Sequence, residues 1–220
     1  MPDQTIAAIQ RPTQKRSPQK RPSQKGKFFC IRPDIRGGGK GHGLVIANED
    51  KLALPGRHTI SLPNGDPGQY PEKPILLYVR KMGRLPRDME GLGGIWILSE
   101  PLKQAFEAVD PEGFTFVASD FILADGSPAP QRYLCNVVRT LDALDEEASK
   151  LKIETSDDYV NGKFYSRAGG ASLAFREAIV GSAHIFRTPF SDQVFCDRVL
   201  CDALKRAKLT GVWLTDAADC

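Results

Sequence analysis

Ser172, in the stretch "GASLA" at 170–174, is the residue whose surroundings come nearest to nucleophilic chemistry. A strained strand-to-helix elbow of the G-x-S-x-G type would expose such a serine, but its last glycine is what lets the turn be sharp, and Ala174 stands there. A Ser–acid–His triad would need a histidine downstream. His184 is the one available, with Glu177 the sole acid between them, and its setting in "AHIF" reads as a strand. The glycine cluster "RGGGKGHG", 36–43, invites a phosphate-cradling role through its backbone N–H groups. Its spacing refuses that role. Gly39-Lys40 is followed by Gly41 where a P-loop needs Ser or Thr, and Asp34 occupies the first glycine position. The five cysteines, Cys30, Cys135, Cys196, Cys201 and Cys220, are scattered without a C-x-x-C pair and read as reduced, mostly core residues. Carboxylates alone are concentrated: Asp142, Asp145, Glu146, Glu147, Glu154, Asp157 and Asp158 fall within 142–158. Such acidic runs usually form solvated faces. The residues therefore give no catalytic, cofactor-binding or metal-binding set.

The elements around these residues carry more information. "IWILSEPLKQAFEAVDPEGFTF", 95–116, returns without a gap 98 residues later as "QVFCDRVLCDALKRAKLTGVWL", 193–214. Only Leu102/Leu200, Ala105/Ala203 and Gly113/Gly211 are identical, yet the pattern is shared. Each copy opens with an apolar run, Ile95–Leu98 or Val194–Cys196. Each then places a capping residue, Ser99 or Asp197, and continues with apolar residues at helical spacing. A glycine closes each predicted helix, and β-branched and aromatic residues follow it. This predicts a strand–helix–strand unit used twice. Further strands are expected at 27–32, 74–81, 114–123 and 132–138, with a hairpin turn at Asp125-Gly126. Short strands are also expected at "GLVIAN", "HTISL", "GKFYSRA", "ASLAFRE" and "AHIFRT", and a short helix or turn is expected to carry the acidic segment over the surface. The fold class is α+β: mostly short antiparallel strands, with the two units, about 95–116 and 193–214, covering sheets.

Residues 1–26 are a different material. "RPTQK", "RSPQK" and "RPSQK" are near-copies of one basic pentad without an apolar side chain, a composition that predicts a disordered tail. The basic residues of 1–27 leave the remainder mildly acidic within a formal net charge of +3. Residues 27–220 are expected to form a single domain, with a division into two lobes near 139 left open. No run reaches the roughly 18 apolar residues of a membrane span, and the amino-terminal "TIAAI" is no signal-peptide core, so the expected compartment is the cytoplasm.

Four stretches taken in order and spacing, "FFCIRPDIRGG", "GLGGIWILSEPLKQAFEAV", "YLCNVVRTLDALDEEAS" and "VGSAHIFRTPFSDQVFCDRVLCDALKRAKLTGVWL", resemble immunity protein family eleven of bacterial polymorphic toxin systems. The resemblance runs from about Lys27 to Asp216 and leaves out the pentad tail. It implies a small bacterial protein encoded beside a secreted toxin, of the contact-dependent or type VI secretion kind, that binds the toxin and performs no chemistry. It supplies no catalytic residues. The partner it implies is the cognate toxin, with no membrane and no cofactor. Many toxins act on nucleic acid through basic clefts, so the acidic segment is the expected contact, with Asp145, Glu146, Asp157 and Asp158 as its candidates. The alternative is a nucleic-acid-associated module using the basic tail as an arm, with salt-sensitive binding.

Overall fold

The computed structural model describes residues 24–36, 41–53 and 60–220. The chain is α+β, built mainly from strands. A four-stranded antiparallel sheet contains β1 (Phe28–Pro33), β10 (Ile185–Arg187), β11 (Val194–Asp197) and β12 (Val212–Asp216) in the order β10-β11-β1-β12. A mixed six-stranded sheet contains β2 (Leu44–Ile46), β3 (Ile75–Tyr78), β4 (Met89–Leu92), β5 (Ile95–Ser99), β6 (Phe114–Ile122) and β7 (Arg132–Val137) in the order β2-β3-β6-β7-β5-β4. A separate hairpin pairs β8 (Lys152–Thr155) with β9 (Lys163–Ser166). The helices are α1 (Glu49–Leu52), α2 (Glu100–Val109), α3 (Glu177–Val180) and α4 (Arg198–Ala207).

The repeated sequence unit is a repeated piece of topology. In the first copy β5 leads through α2 to β6, and β7 lies between the two strands, antiparallel to both. In the second copy β11 leads through α4 to β12, and β1 fills the same central place. Register is shared throughout: Trp96 faces Cys135 as Val194 faces Ile31, and Phe114 faces Val137 as Val212 faces Pro33. Each unit also has an antiparallel edge strand, β4 beside β5 and β10 beside β11. Thus β4-β5-β7-β6 and β10-β11-β1-β12 are two versions of one four-stranded layer. They differ in where the central strand lies along the chain: β7 follows its unit, whereas β1 precedes everything else.

Burial follows from strand alternation. On β1, Phe29 and Ile31 point to one core while Phe28 and Cys30 point to another. On β5, Trp96 and Leu98 share the first of these with both long helices, and Ile95 and Ile97 enter a third on the opposite face. The first core is joint property of the two units. It sets Met89 with Ile185, Leu98 with Cys196, Leu102 with Leu200 and Phe106 with Leu204 at equivalent places. Leu102 and Leu200 are fully buried, each contributing about 1.5–3 kcal/mol by leaving water. The predicted caps are made: Ser99 Oγ accepts from Leu102 N at 3.4 Å and Asp197 Oδ1 from Leu200 N at 3.0 Å. Pro101 sits in the first turn of α2, where its missing N–H removes no helical bond.

The two conserved-in-repeat glycines have a role other than closing helices. α2 is capped at its C-terminus by Asp110 and α4 by Lys208, the latter left-handed with φ 52°. Gly113 and Gly211 come three residues later, where each unit's loop lies against the edge strand of the other. A Cβ on Gly113 would run into Ile185 Cγ2 of β10, and one on Gly211 into the Met89 carbonyl oxygen of β4. Polar contacts secure both approaches. Asp110 Oδ2 accepts from His184 N at 2.8 Å and Ile185 N at 3.2 Å, and it pairs with Arg139. On the other side Thr210 N donates to Asp88 Oδ2 at 2.8 Å, and Met89 N to Thr210 O at 3.1 Å.

Several local expectations change. "ASLAFRE" forms no strand; it is held by isolated bridges at Ser172 and Phe175 and runs into α3. The acidic segment is a turn followed by β8, so its second half is hairpin rather than helix. In "HTISL", His58 and Thr59 lie outside the described residues, and 60–62 are irregular. Asn48 ties the described residues on either side of the long connection before β3: its Nδ2 donates to Lys73 O at 3.0 Å while its Oδ1 accepts from Ile75 N at 3.0 Å. The basic pentads, through Pro22 and Ser23, and Gly37–Lys40 of the glycine cluster lie outside the described residues.

Candidate functional site

After β7 the chain crosses the outer face of the four-stranded sheet and builds the second core. Leu141 N donates to Arg187 O at 2.8 Å, which starts the crossing alongside β10. Ala143 and Leu144 are buried there with Tyr165, Leu173, Phe175 and Phe186. Those apolar anchors force the intervening carboxylates outward. Asp145 N donates to Ala174 O at 2.9 Å and its Oδ1 accepts from Ala148 N at 3.0 Å, closing a tight turn over 145–149. Lys150 and Ser172 then exchange backbone hydrogen bonds at 2.7 and 2.8 Å, and the β8–β9 hairpin begins.

The four candidate acids fall into two settings. Asp145 and Glu146 are in the turn, beside a surface depression of about 460 Å³ lined by Asp142, Leu144, Asp145, Glu146, Glu147 and Arg176. Asp157 and Asp158 are exposed at the far end of the hairpin. Glu146 links the settings: it pairs with Lys163 at 2.5 Å and accepts from Tyr165 Oη at 2.6 Å, both on β9. These two partners hold its carboxyl below the ordinary glutamate range. Asp142 is 3.4 Å from Arg176, and Glu154 is 2.8 Å from Lys152. Part of the acidic charge is therefore met within the protein. Among the described residues Asp158 contacts Ser156, its Oδ2 accepting from Ser156 Oγ at 3.3 Å.

Sequence reasoning gave no role to the apolar residues of this hairpin. Val160 is 99% exposed at the tip, beside a stacked Tyr159–Phe164 pair with ring centroids 5.7 Å apart. Ile153 is also exposed. A valine in "DDYVNGK" looks like any strand residue, so its exposure became legible only when the tip was placed.

The other candidates have structural partners. His184 Nδ1 lies 2.8 Å from Asp197 Oδ2, and Asp197 caps α4. The equivalent pair in the other unit is Asp88 with Ser99, at 2.8 Å. Ser172 is engaged through its backbone with Lys150 rather than with His184. His42 is held at both ring nitrogens, Nε2 at 2.8 Å from Gly91 O and Nδ1 accepting from Leu44 N at 3.1 Å. Among the described residues no group of three or more His, Cys, Asp or Glu is placed to hold a metal ion, and no helix is long and apolar enough to cross a membrane.

The chain is a member of a family of immunity proteins. The model of the Immunity protein family (Imm11) matches residues 27–219, which takes in both sheets, the joint core and the acidic crossing, and the chain belongs to that family. No curated protein matches it significantly.

Proposed function

We propose that this protein binds a cognate antibacterial toxin in the cytoplasm of the producing cell and neutralises it by occlusion, without catalysis of its own. The observation that carries the reading is the family match across 27–219. The proposed contact is the acidic crossing with its hairpin: Asp145 and Glu146 in the turn, and Asp157 and Asp158 at the hairpin's far end with the exposed Val160. Carboxylates of this kind would steer a basic active-site cleft into place, and an apolar side chain among them would be desolvated on docking. Glu146 serves mainly to fix the hairpin against the turn, because its carboxylate is already spent on Lys163 and Tyr165. A toxin delivered between competing cells by type VI or contact-dependent secretion is the partner this reading requires.

The test is co-expression with the product of the adjacent gene, scoring host survival and co-purification. Rescue together with a stoichiometric complex supports the proposal. A harmless neighbour, or rescue without a complex, removes it.

A further inference from the structure

Cys30 lies on the face of β1 that enters the second core, and the turn Ala217–Asp219 after β12 brings Cys220 over it. Residues 190 positions apart thereby have sulfurs 3.1 Å apart. The approach does not depend on the thiols alone. Ala171 N donates to Cys220 O at 2.6 Å, Leu173 N to Ala217 O at 2.8 Å, and Asp216 Oδ1 accepts from Ala218 N at 3.0 Å. Arg167 adds a cation, its Nη1 3.5 Å from Cys30 Sγ. Exposure is unequal: Cys30 is 3% exposed, whereas Cys220 is half-buried. Cys220 is thus the residue of the pair nearer to solvent.

We propose that Cys30 and Cys220 form an oxidation site at which hydrogen peroxide converts two thiols into an intramolecular disulfide. In the first step the Cys220 thiolate attacks one peroxide oxygen, the O–O bond breaks, and hydroxide leaves and takes up a proton as water. Cys220 is then a sulfenic acid. In the second step Cys30 sulfur attacks that sulfur, the S–O bond breaks, and the departing hydroxide takes the Cys30 proton to form a second water. The protein loses two electrons and two protons, and the peroxide is reduced to two waters.

The environment suits these roles. The hydrogen bond with Cys30 brings the Cys220 thiol down to about 7 against the opposing effect of burial, and Arg167 assists. The same hydrogen bond and burial hold Cys30 up as a thiol. The residue nearer to solvent thus carries the thiolate, which is the attacking form. Closing the gap to an S–S bond of about 2.0 Å needs the sulfurs to approach by about 1 Å. Cys135, Cys196 and Cys201 lie instead in the joint core, where burial raises their thiols and opposes reaction. The disulfide would fasten the segment after β12 to the central strand of the four-stranded sheet and so raise the thermal midpoint.

The experiment treats the full chain with a small excess of hydrogen peroxide and maps peptides without reduction. The expected product has an intact mass lower by about 2 Da, one linked peptide pair containing Cys30 and Cys220, and full reversal by dithiothreitol. Cys220→Ser removes the product and leaves the far-ultraviolet spectrum unchanged. In Cys30→Ser, Cys220 accumulates as its sulfenic acid, trapped by dimedone. The proposal is overturned if both thiols stay open to alkylation after peroxide, if wild-type Cys220 passes to sulfinic acid without a link, or if covalent dimers through Cys220 form instead.

Discussion

Alanine at Gly211 places a Cβ against the Met89 carbonyl oxygen on a backbone with φ 84°, whereas alanine at the equivalent Gly113 meets the Cγ2 of Ile185 most closely and the Asp110 carboxyl less tightly. The left-handed conformation costs a side-chain-bearing residue about 1–2 kcal/mol, and overpacking adds about 1–3 kcal/mol. Gly211→Ala should therefore destabilise by about 2–5 kcal/mol, and Gly113→Ala by about 1–3 kcal/mol. The neighbours distinguish the mechanisms. Ile185→Ala alone opens a cavity and costs about 2–5 kcal/mol, but combined with Gly113→Ala it removes the clashing methyl, so the pair should fall short of additivity by about 0.5–3 kcal/mol. Met89→Ala leaves the backbone oxygen in place and should give Gly211→Ala no such relief. Urea unfolding of the six variants measures all of this, and thermal midpoints should move by about 2–4 °C per kcal/mol in a chain of this size. A Gly211→Ala loss below about 1 kcal/mol, or rescue by Met89→Ala, would refute the docking of each unit's loop on the other's edge strand.

Other outcomes follow from the same geometry. Burial works to raise the Asp110 carboxyl, but Arg139 and the N–H groups of His184 and Ile185 hold it below the ordinary range. Its contribution is present above a carboxylate pKa of about 4 and is lost as pH falls through the depressed value. Asp110→Asn should cost about 3–5 kcal/mol at pH 7, with a flatter acid limb, as read from urea midpoints between neutral and acid pH. Ser99→Ala should cost about 0.5–2 kcal/mol by loss of the α2 cap. Asp197→Ala should cost a similar amount, because each cap also holds an edge-strand neighbour, Asp88 by Ser99 and His184 by Asp197; equal midpoints to wild type in thermal melts would deny the caps a role. Phe106→Ala, at a fully buried ring stacked 4.4 Å from Phe114, should cost about 3–5 kcal/mol in the same unfolding assay.

The repeated unit was legible because helical spacing after a capping residue is a local signal, and Ser99 and Asp197 both deliver it. Its structural meaning was not. That β7 and β1 occupy equivalent central positions depends on pairings between distant segments, and Arg132 and Phe28 share no local pattern that announces it. β4 escaped notice because "MEGL" lacks β-branched residues and owes its strand form to Leu98 and Trp96 opposite. In the acidic segment the leucines leave a short helix or a turn open; the turn forms because Ala143 and Leu144 are taken by the second core, and the chain beyond Lys150 pairs with β9. At the candidate site the carboxylates were visible as composition. Whether each is met by a cation was not, since Lys163 and Arg176 come from elsewhere in the sequence. The Cys30–Cys220 approach is the extreme case, set wholly by tertiary packing.

The central claim is that the acidic crossing and its hairpin capture the toxin. The most direct measurement is the affinity of the purified toxin for wild type and for Asp145→Asn/Asp157→Lys/Asp158→Lys, which keeps the Ala148 turn contact and leaves Glu146 to hold the hairpin. The account predicts at least about tenfold weaker binding, mostly through slower association, with unfolding unchanged. An affinity equal to wild type in a folded variant would contradict it and send the search for the interface to another face.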